Sequence, residues 1–464
     1  MSNDIALPMP DGVQVVVPGD LGITTTYVLR EQLDWFEDEI GFLRLLMQPG
    51  MRAIDVGANF GVYALTLGRS VGTTGRVWAI EPGAQAADYL ARSIAANQFG
   101  HVELIRCALS DRNGTGHLDD NVNPELNRLG ADVAARAVEV RRLDQLATEH
   151  RMEAVDFVKI DVEGEEVNVL EGGREFLARE APLLMIEFWN ENHFNERIFE
   201  PLQQLDYDCF RLVPGLDILV PFYESEEPDA YQLNVFACRR PRAERIETAG
   251  RLLRVSPADT PAPWPAAALD ALLLKPYARA HAARWRAAAP RTGRESAVRS
   301  HTQALCAFLS AQDGTISPAA RYQALEHAYL ELRRLLQSDF TPARAASFIR
   351  VATAYGRRAE AVTVSRRLAG ALSAAQDWDM EEPLLPPWPY HDDVPVRDDP
   401  RQWLLAATVD AFEHLFQFSS CDKPLLAREF LGAQLDSNRL SPEYRRREQL
   451  FAQRALAVRT PRKP

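Results

Sequence analysis

The sequence predicts an α/β protein with a mostly parallel sheet and helices on both faces, followed by an all-α C-terminal domain. Over residues 1–248, short β-branched runs alternate with helical patterns, which is typical of parallel βαβ units. Strand signals then stop, and residues 249–464 are nearly all helical in their periodicity. A chain of 464 residues also exceeds the size at which one hydrophobic core keeps growing. We therefore predict two domains, 1–248 and 249–464.

The composition is that of an ordinary globular protein, with 46% hydrophobic and 25% charged residues. No apolar run approaches the ~18 residues that cross a bilayer. The N-terminus has no basic region followed by an apolar block, and the five scattered cysteines form no Cys-x-x-Cys pair. These features predict a cytoplasmic protein without a membrane span, a disulfide framework or a zinc site.

Charge is shared unequally between the two halves. Residues 1–250 hold 22 Lys and Arg against 42 Asp and Glu, a net charge of −20, whereas the remainder holds 30 against 23, a net charge of +7. The basic stretch 275–299 is typical of a solvated helix face or of docking against the acidic half. An alternative is that the C-terminal domain binds another protein or an anionic glycan. A nucleic-acid partner is not expected, because the chain as a whole is acidic.

The first half contains eight candidate strands with helical segments between several of them. The strands are RAIDVG, GRVWAIEP, VELIRCAL, AVEVRRL, DFVKIDVEG, PLLMIEFW, YDCFRLV and LNVFACR. The helical segments are GVYALTLGRSV, AADYLARSIAANQ, EEVNVLEGGREFLARE and ERIFEPLQQL. The last strands are joined by a shorter connection, which favours an antiparallel strand at the sheet edge.

In the second half, Thr341 and Pro342 predict the cap and first residue of a helix. Residues 341–375 weakly resemble a tetratricopeptide helical hairpin. One such unit is visible, and the stability of these arrays needs about three.

The stretch AIDVGANFGVYALTLG predicts a strand, a glycine turn and a helix. Asp55 closes the strand, Gly57, Asn59 and Gly61 form the turn, and the helix begins near Val62. A glycine turn lets a ligand approach the backbone at a helix N-terminus. The spacing differs from the dinucleotide pattern, and an acid before the turn would repel a pyrophosphate. It would suit a ligand with an ammonium group, such as S-adenosyl-L-methionine.

Two further acids follow neighbouring strands. Glu81 ends the next strand, where a carboxylate accepts hydrogen bonds from both ribose hydroxyls. Asp111 follows the third strand, where an acid is able to accept the adenine amino group. Three such elements in chain order favour a binding site over ordinary strand-to-helix connections.

These residues resemble the FkbM-type S-adenosylmethionine-dependent methyltransferases. The resemblance covers about residues 35–240 and is carried by IDVGANFG, AIEP, ALSDRNG, VEVRRLDQL, VKIDVEGEEVNVLEGG and PLLMIEFW. It implies a Rossmann-like class I methyltransferase sheet and methyl transfer to a hydroxyl, often on a sugar or natural product. By position it implies a cofactor site that contains Asp55, Gly57, Asn59, Gly61, Glu81 and Asp111. The expected acceptor is a small molecule or a glycan, and nothing in the resemblance covers residues 250–464.

VKIDVEGEEVNVLEGG places several carboxylates at the end of a core strand. Ligands of open α/β sheets lie beyond the carboxyl ends of the strands, so we expect Asp161 to face the cleft. A carboxylate there could take the proton of the acceptor hydroxyl. Asp161, Glu163 and Glu187 could instead hold a divalent cation or bind two sugar hydroxyls. His193 is a further candidate base, with simple exposure as the alternative.

The other residues near this strand end have simpler interpretations. Glu165 and Glu166 begin the next helix, where acids favour the helix dipole and are expected to face solvent. Lys159 shares a strand face with Asp161 and is expected to be its ion partner. Trp35, Glu37 and Tyr63 could cover the cofactor or pack in the core.

Two rival functions stay open. A nicotinamide-dependent oxidoreductase is disfavoured by Asp55 and by the missing phosphate-binding turn. A non-catalytic binding module on a relic fold is disfavoured by the intact motifs.

Overall fold

The computed structural model describes residues 4–118, 129–130, 136–190, 193–254, 264–265, 267–288, 294–397, 399–421 and 439–459. The chain divides into two compact units. The first unit consists of Met1–Leu212, Leu219–Glu227 and Gln232–Arg254. The second unit consists of Val213–Ile218, Pro228–Tyr231 and Val255–Pro464 and is therefore discontinuous in sequence. The predicted boundary near residue 248 stays a prediction.

The described residues contain sixteen strands. They are β1 (Asp4–Pro8), β2 (Gln14–Pro18), β3 (Arg52–Val56), β4 (Arg76–Ile80), β5 (Val102–Ile105), β6 (Ala108–Leu109), β7 (Gly114–Leu118), β8 (Leu129–Gly130), β9 (Arg136–Arg141), β10 (Phe157–Ile160), β11 (Leu183–Glu187), β12 (Trp189–Asn190), β13 (His193–Phe194), β14 (Asp208–Val213), β15 (Ile218–Pro221) and β16 (Asn234–Cys238).

Eight of these strands form the main sheet, in the order β15-β14-β16-β11-β10-β3-β4-β5. The pairs of β11 with β10, β10 with β3, β3 with β4 and β4 with β5 are parallel. β16 pairs antiparallel with both β11 and β14. The carboxyl ends of the five parallel strands therefore lie along one edge of the sheet.

The helices of the first unit are α1 (Thr24–Gln32), α2 (Asp38–Leu46), α3 (Val62–Val71), α4 (Ala84–Ala96), α5 (Leu143–Glu149), α6 (Glu166–Gly172), α7 (Arg174–Glu180), α8 (Phe199–Gln204) and α9 (Arg240–Thr248). Alternate residues of the strands enter two separate hydrophobic clusters. Ala53 packs with side chains of α2, α3 and α4, whereas its neighbour Ile54 packs with side chains of α5 to α8. Helices thus cover both faces of the sheet, and the predicted α/β class is confirmed.

The helices of the second unit are α10 (Ala267–Leu273), α11 (Ala282–Ala288), α12 (Arg294–Ala311), α13 (Pro318–Ser338), α14 (Pro342–Tyr355), α15 (Arg358–Ala374), α16 (Pro400–Phe416) and α17 (Pro442–Arg459). From α12 to α16 each helix packs against the next one. The region is helical, as the sequence predicts.

The start and end of α14 follow from its sequence. Thr341 accepts a hydrogen bond from the Arg344 backbone N–H, and Pro342 occupies the first turn, as expected for a helix start. Gly356 ends the helix with a φ of 87°, in the left-handed region that favours glycine. α15 begins two residues later and packs against α14. The helical hairpin is present, and its tetratricopeptide character stays a prediction.

No helix among the described residues is long and apolar enough to cross a membrane.

Candidate functional site

A cavity of about 240 Å³ lies at the carboxyl ends of β3, β4, β10 and β11. Its lining residues come from the first unit and include Thr24, Thr25, Trp35, Phe36, Glu37, Asp55, Val56, Gly57, Ala58, Asn59, Phe60, Val62, Tyr63, Ile80, Glu81, Pro82, Cys107, Ala108, Leu109, Leu118, Lys159, Asp161, Val162, Glu163, Glu165, Glu187 and Leu233. This is the edge at which open α/β sheets bind ligands.

The turn after β3 brings backbone to the cavity wall. Gly57 has a φ of 79°, and a Cβ there would overlap the carbonyl oxygen of Asp161. Only glycine therefore fits this position. Gly61 has a φ of 92° and is not a lining residue, because the space beside it is filled by Leu90. Of the two turn glycines, Gly57 faces the cavity and Gly61 permits packing between α3 and α4.

Asp55 ends β3 and is fully buried. Neither carboxylate oxygen accepts a hydrogen bond of ordinary geometry from the described residues. Burial raises the pKa of Asp55 from 3.8 to about 6, although the Lys159 ammonium lowers it. A buried carboxylate without a hydrogen-bond donor is costly, so Asp55 is suited to a ligand that brings a donor or a cation.

Glu81 follows β4 and is also buried. Its Oε2 accepts a hydrogen bond from the Asn59 backbone N–H at 2.8 Å, and its Oε1 accepts one from the Gly83 N–H at 2.6 Å. Burial raises the pKa of Glu81 to about 7, although these two donors lower it. Each oxygen keeps a second lone pair, so the carboxylate is fixed in place and still able to accept ligand hydroxyls.

Asp161 follows β10 and is paired with Lys159. The two side chains approach to 2.5 Å between Nζ and Oδ2, with Lys159 3% exposed and Asp161 31% exposed. Burial raises the pKa of Asp161, but the Lys159 charge and a hydrogen bond with Glu187 outweigh it, so the pKa lies below its usual value. Asp161 is therefore an ionised carboxylate at neutral pH.

Glu187 ends β11 and lies beside Asp161. Burial and the negative charge of Asp161 raise the pKa of Glu187 well above its usual value. Ligand oxygens of Asp161, Glu163 and Glu187 all lie within 4.8 Å of one another. The three predicted carboxylates are thus brought together at the cavity. Glu163 is the exposed member of the group and has a φ of 53°.

The prediction that Glu165 and Glu166 face solvent is wrong. Glu166 is 2% exposed and accepts hydrogen bonds from the backbone N–H groups of Val162 and Gly164. Glu165 lines the cavity and accepts a hydrogen bond from the Ser110 hydroxyl at 2.7 Å. Both acids begin a helix, but Glu166 turns back to the 162–164 turn and satisfies two of its backbone donors.

Glu37 is a lining residue for which the sequence predicts either a covering role or a packing role. Its carboxylate accepts hydrogen bonds from the Trp35 indole at 2.8 Å, the Tyr63 hydroxyl at 2.8 Å and the Asn234 amide at 2.9 Å. Trp35, Glu37 and Tyr63 all line the cavity, and Tyr63 and Trp35 also pack in or against the hydrophobic core, so both predicted alternatives hold for the two aromatic residues. Asn234 was missed because it lies at the start of β16, far from every motif.

Of the predicted cofactor residues, Asp111, like Gly61, does not line the cavity. Asp111 is about half exposed and lies 3.4 Å from Arg112. It follows the end of β6 with its side chain half exposed, so the structure does not place its carboxylate at a buried ligand. His193 lies in β13, paired with β12, and its side chain lies outside the described residues.

The sheet order and the cavity at its carboxyl edge are those of an open α/β fold with a ligand site at its strand ends. Residues 55–209 match the family model of the methyltransferase FkbM domain, which confirms the resemblance that the motifs carry. The match covers a third of the 464 residues and lies within the first unit.

Two curated proteins are similar to the same part of the chain. The chain is 26% identical over 192 residues to methyltransferase sdnD of Sordaria araneosa, and the aligned region covers 34% of this chain and 74% of that protein. It is 24% identical over 209 residues to the 2-O-methyltransferase NoeI of Sinorhizobium fredii, and the aligned region covers 41% of this chain and 82% of that protein.

Among solved structures, a methyltransferase FkbM from Methylobacillus flagellatus has 19% identity and a TM-score of 0.28, and the similarity covers 40% of this chain and 43% of that one. A SAM-dependent O-methyltransferase from Thermotoga maritima has 15% identity and a TM-score of 0.28, with 48% and 72% covered. The chain therefore spans less than half of the first of these structures.

Proposed function

We propose that the first unit is an S-adenosylmethionine-dependent O-methyltransferase, and that its acceptor is a hydroxyl of a sugar, a glycan or a secondary metabolite. S-adenosylmethionine, when bound, supplies a methyl group on a sulfonium that an oxygen nucleophile can attack. The chain's own residues bind and orient the two ligands and remove the acceptor's proton.

The observation that carries this proposal is the buried carboxylate of Asp55, which accepts no hydrogen bond of ordinary geometry from the described residues. It is fully buried, lines the cavity and lies beside the glycine turn. A phosphate would be repelled there, whereas an ammonium or a sulfonium offsets the cost of the buried charge. This supports a cationic cofactor and argues against NAD.

The other proposed cofactor contacts come from residues of the same cavity wall. Gly57 and Asn59 present backbone to the ligand, and Glu81 accepts hydrogen bonds from the ribose hydroxyls through the lone pairs that its backbone donors leave open. Gly61 acts through packing. The proposed adenine contact of Asp111 has the least support, because its side chain is half exposed.

On the acceptor side, Asp161 is the proposed base. It is ionised, lines the cavity, and is held by Lys159. A carboxylate in this position orients the acceptor hydroxyl and takes its proton as the methyl group is transferred. Glu187 and Glu163 would bind a neighbouring hydroxyl, with a divalent cation as the alternative. NoeI, the relative described as a 2-O-methyltransferase, supports a hydroxyl acceptor.

Calorimetric titration of the purified protein with S-adenosylmethionine, S-adenosylhomocysteine and NAD tests the proposal. We expect binding of the two sulfur ligands and none of NAD. Asp55→Asn should weaken binding about 10- to 100-fold, because a charge-assisted hydrogen bond contributes about 1.5–3 kcal/mol. Asp88→Asn, at an exposed carboxylate on α4, is the matched control and should bind as the wild type does.

A screen of glycan and small-molecule acceptors with methyl-labelled cofactor then identifies the substrate class. Binding of NAD alone would overturn the proposal. If none of the three ligands binds, the non-catalytic alternative is favoured.

A further inference from the structure

Lys159 lines the cavity and lies on the buried strand β10. Its neighbours in the sheet are Asp55 on β3 and Met185 on β11. Its side chain is 3% exposed, its Nζ lies 2.5 Å from Oδ2 of Asp161, and the same nitrogen lies 4.7 Å from the centre of the Tyr63 ring. A lysine buried to this extent is held by its charged and aromatic neighbours.

Lys159 is also the only cationic residue among the described residues that line the cavity, where seven carboxyl groups are present. Two of these, Asp55 and Asp161, flank it directly. The lysine therefore supplies the positive charge that lets two buried acids lie on neighbouring strand ends.

A divalent cation at the acidic group would compete with this lysine. Magnesium and calcium ions take several oxygen ligands, and the group offers one oxygen each from Asp161, Glu163 and Glu187. Asp161 Oδ2 is already bonded to the ammonium of Lys159. A metal bound to the same carboxylate would lie close to a like charge inside a buried site, where repulsion is strong.

We propose that Lys159 is a positioning residue that takes the place of a metal ion at this site, so that Asp161, Glu163 and Glu187 bind acceptor hydroxyls directly. Lys159 occupies one oxygen of Asp161 and fixes the direction in which the carboxylate meets the acceptor. This inference rests on the proposed function. Of the two alternatives for the three carboxylates, it selects the binding of acceptor hydroxyls over the binding of a divalent cation.

The test compares wild type with Lys159→Met, which removes the charge and keeps the length of the side chain. Thermal unfolding first establishes that the variant is folded. Terbium luminescence, excited through the nearby aromatic residues, then reports metal binding without any need for turnover. We expect no saturable terbium site in the wild type that depends on Asp161. Lys159→Met should gain such a site, and Lys159→Met combined with Asp161→Asn should lose it.

Turnover gives the second readout. Wild-type methyl transfer should be unchanged by EDTA and by added Mg²⁺. Lys159→Met should lower it at least about tenfold, as expected when one partner of a buried charge pair is removed. Lys159→Arg keeps the charge and should recover part of the metal-independent turnover, which a purely structural role would not predict.

Loss of wild-type turnover in EDTA with recovery in Mg²⁺ would overturn the inference. So would a terbium site in the wild type that Asp161→Asn removes. If Lys159→Met does not fold, these two wild-type measurements and Lys159→Arg still decide the question. If the wild type binds no cofactor in calorimetry, the proposed function fails, while the terbium comparison still tests whether Lys159 excludes a metal.

Discussion

Two fully buried aspartates, one in each unit, are satisfied in opposite ways. In the second unit, Asp410 lies 2.7 Å from His391 Nε2 and accepts hydrogen bonds from the Ser441 backbone N–H at 2.8 Å and the Ser441 hydroxyl at 2.9 Å. In the first unit, Asp55 accepts no hydrogen bond of ordinary geometry from the described residues. Both aspartates are fully buried, but Asp410 accepts several hydrogen bonds, whereas Asp55 is stabilised mainly by the charge of the nearby Lys159.

On the proposed function, the difference separates a carboxylate that stabilises the fold from one that binds a ligand. A buried acid that lacks hydrogen-bond donors lowers stability, and such groups are frequent at functional sites. The comparison predicts that substitutions at Asp410 change stability alone, whereas substitutions around the cavity change binding or turnover at little cost in stability.

The largest effect is expected for Asp161→Asn. Loss of the proposed base should lower methyl transfer about 10²- to 10⁴-fold, the range of general base catalysis. Cofactor affinity measured by calorimetry should stay close to that of the wild type. Turnover equal to that of the wild type would remove Asp161 as the base.

Asp410→Ala should have the next largest effect, now on the fold. His391 and Ser441 lose their shared acceptor, and breaking a buried charged network costs about 3–5 kcal/mol. Chemical denaturation should show this loss in the free energy of unfolding, with cofactor affinity unchanged. A variant as stable as the wild type would contradict a structural role for Asp410.

Asp55→Asn should show the reverse pattern. Because burial raises the pKa of Asp55, its ionised form reduces stability at neutral pH, and the amide should leave the free energy of unfolding unchanged or higher by about 1 kcal/mol. Cofactor affinity should fall as described above. A large loss of stability together with unchanged affinity would place Asp55 in the same class as Asp410.

The pH dependence of binding sharpens the same contrast. The folded-state pKa of Asp55 is about 6, above its usual 3.8, so its contribution to the stability of the free protein is lost as pH rises from about 4 to about 6. Over the same window the carboxylate becomes available to a cation. Affinity for S-adenosylmethionine should fall about tenfold for each pH unit below 6, and Asp55→Asn should flatten this profile.

The smallest effect is expected at Thr341, a structural cap on the surface of the second unit. Thr341→Ala removes the hydrogen bond to the Arg344 backbone N–H and should cost about 1 kcal/mol in denaturation experiments. Methyl transfer by the first unit should be unaffected. A change in kcat would show that the cap does more than stabilise a helix.

The sequence was sufficient to predict those cavity residues that directly follow the ends of parallel strands. Asp55, Gly57 and Glu81 could be placed because parallel strands end at one edge, and the same rule brought Asp161 and Glu187 together. The alternation of strands and helices likewise predicted the class of the fold.

Other parts could not be read from local patterns. Asn234 and Trp35 meet at Glu37 only because β16 and the chain before α2 are adjacent in space. Glu166 was misassigned because its helix-start position is the same whether the side chain faces solvent or turns back to the 162–164 turn. Asp111 was placed by its distance from a strand, which does not determine whether its side chain faces the cavity or the solvent.

The discontinuity of the second unit matters for anyone who divides this protein. Asp229 accepts hydrogen bonds from the Ala359 backbone N–H at 3.0 and 3.2 Å and so caps the start of α15 from a segment more than a hundred residues earlier. A fragment that begins at residue 255 would lack that cap, and a fragment that ends at 254 would carry it without its helix. Residues 213–231 contribute to both units, so a fusion or truncation should not separate the two units at residue 254. Crystallisation and exchange measurements should use a chain that contains both units.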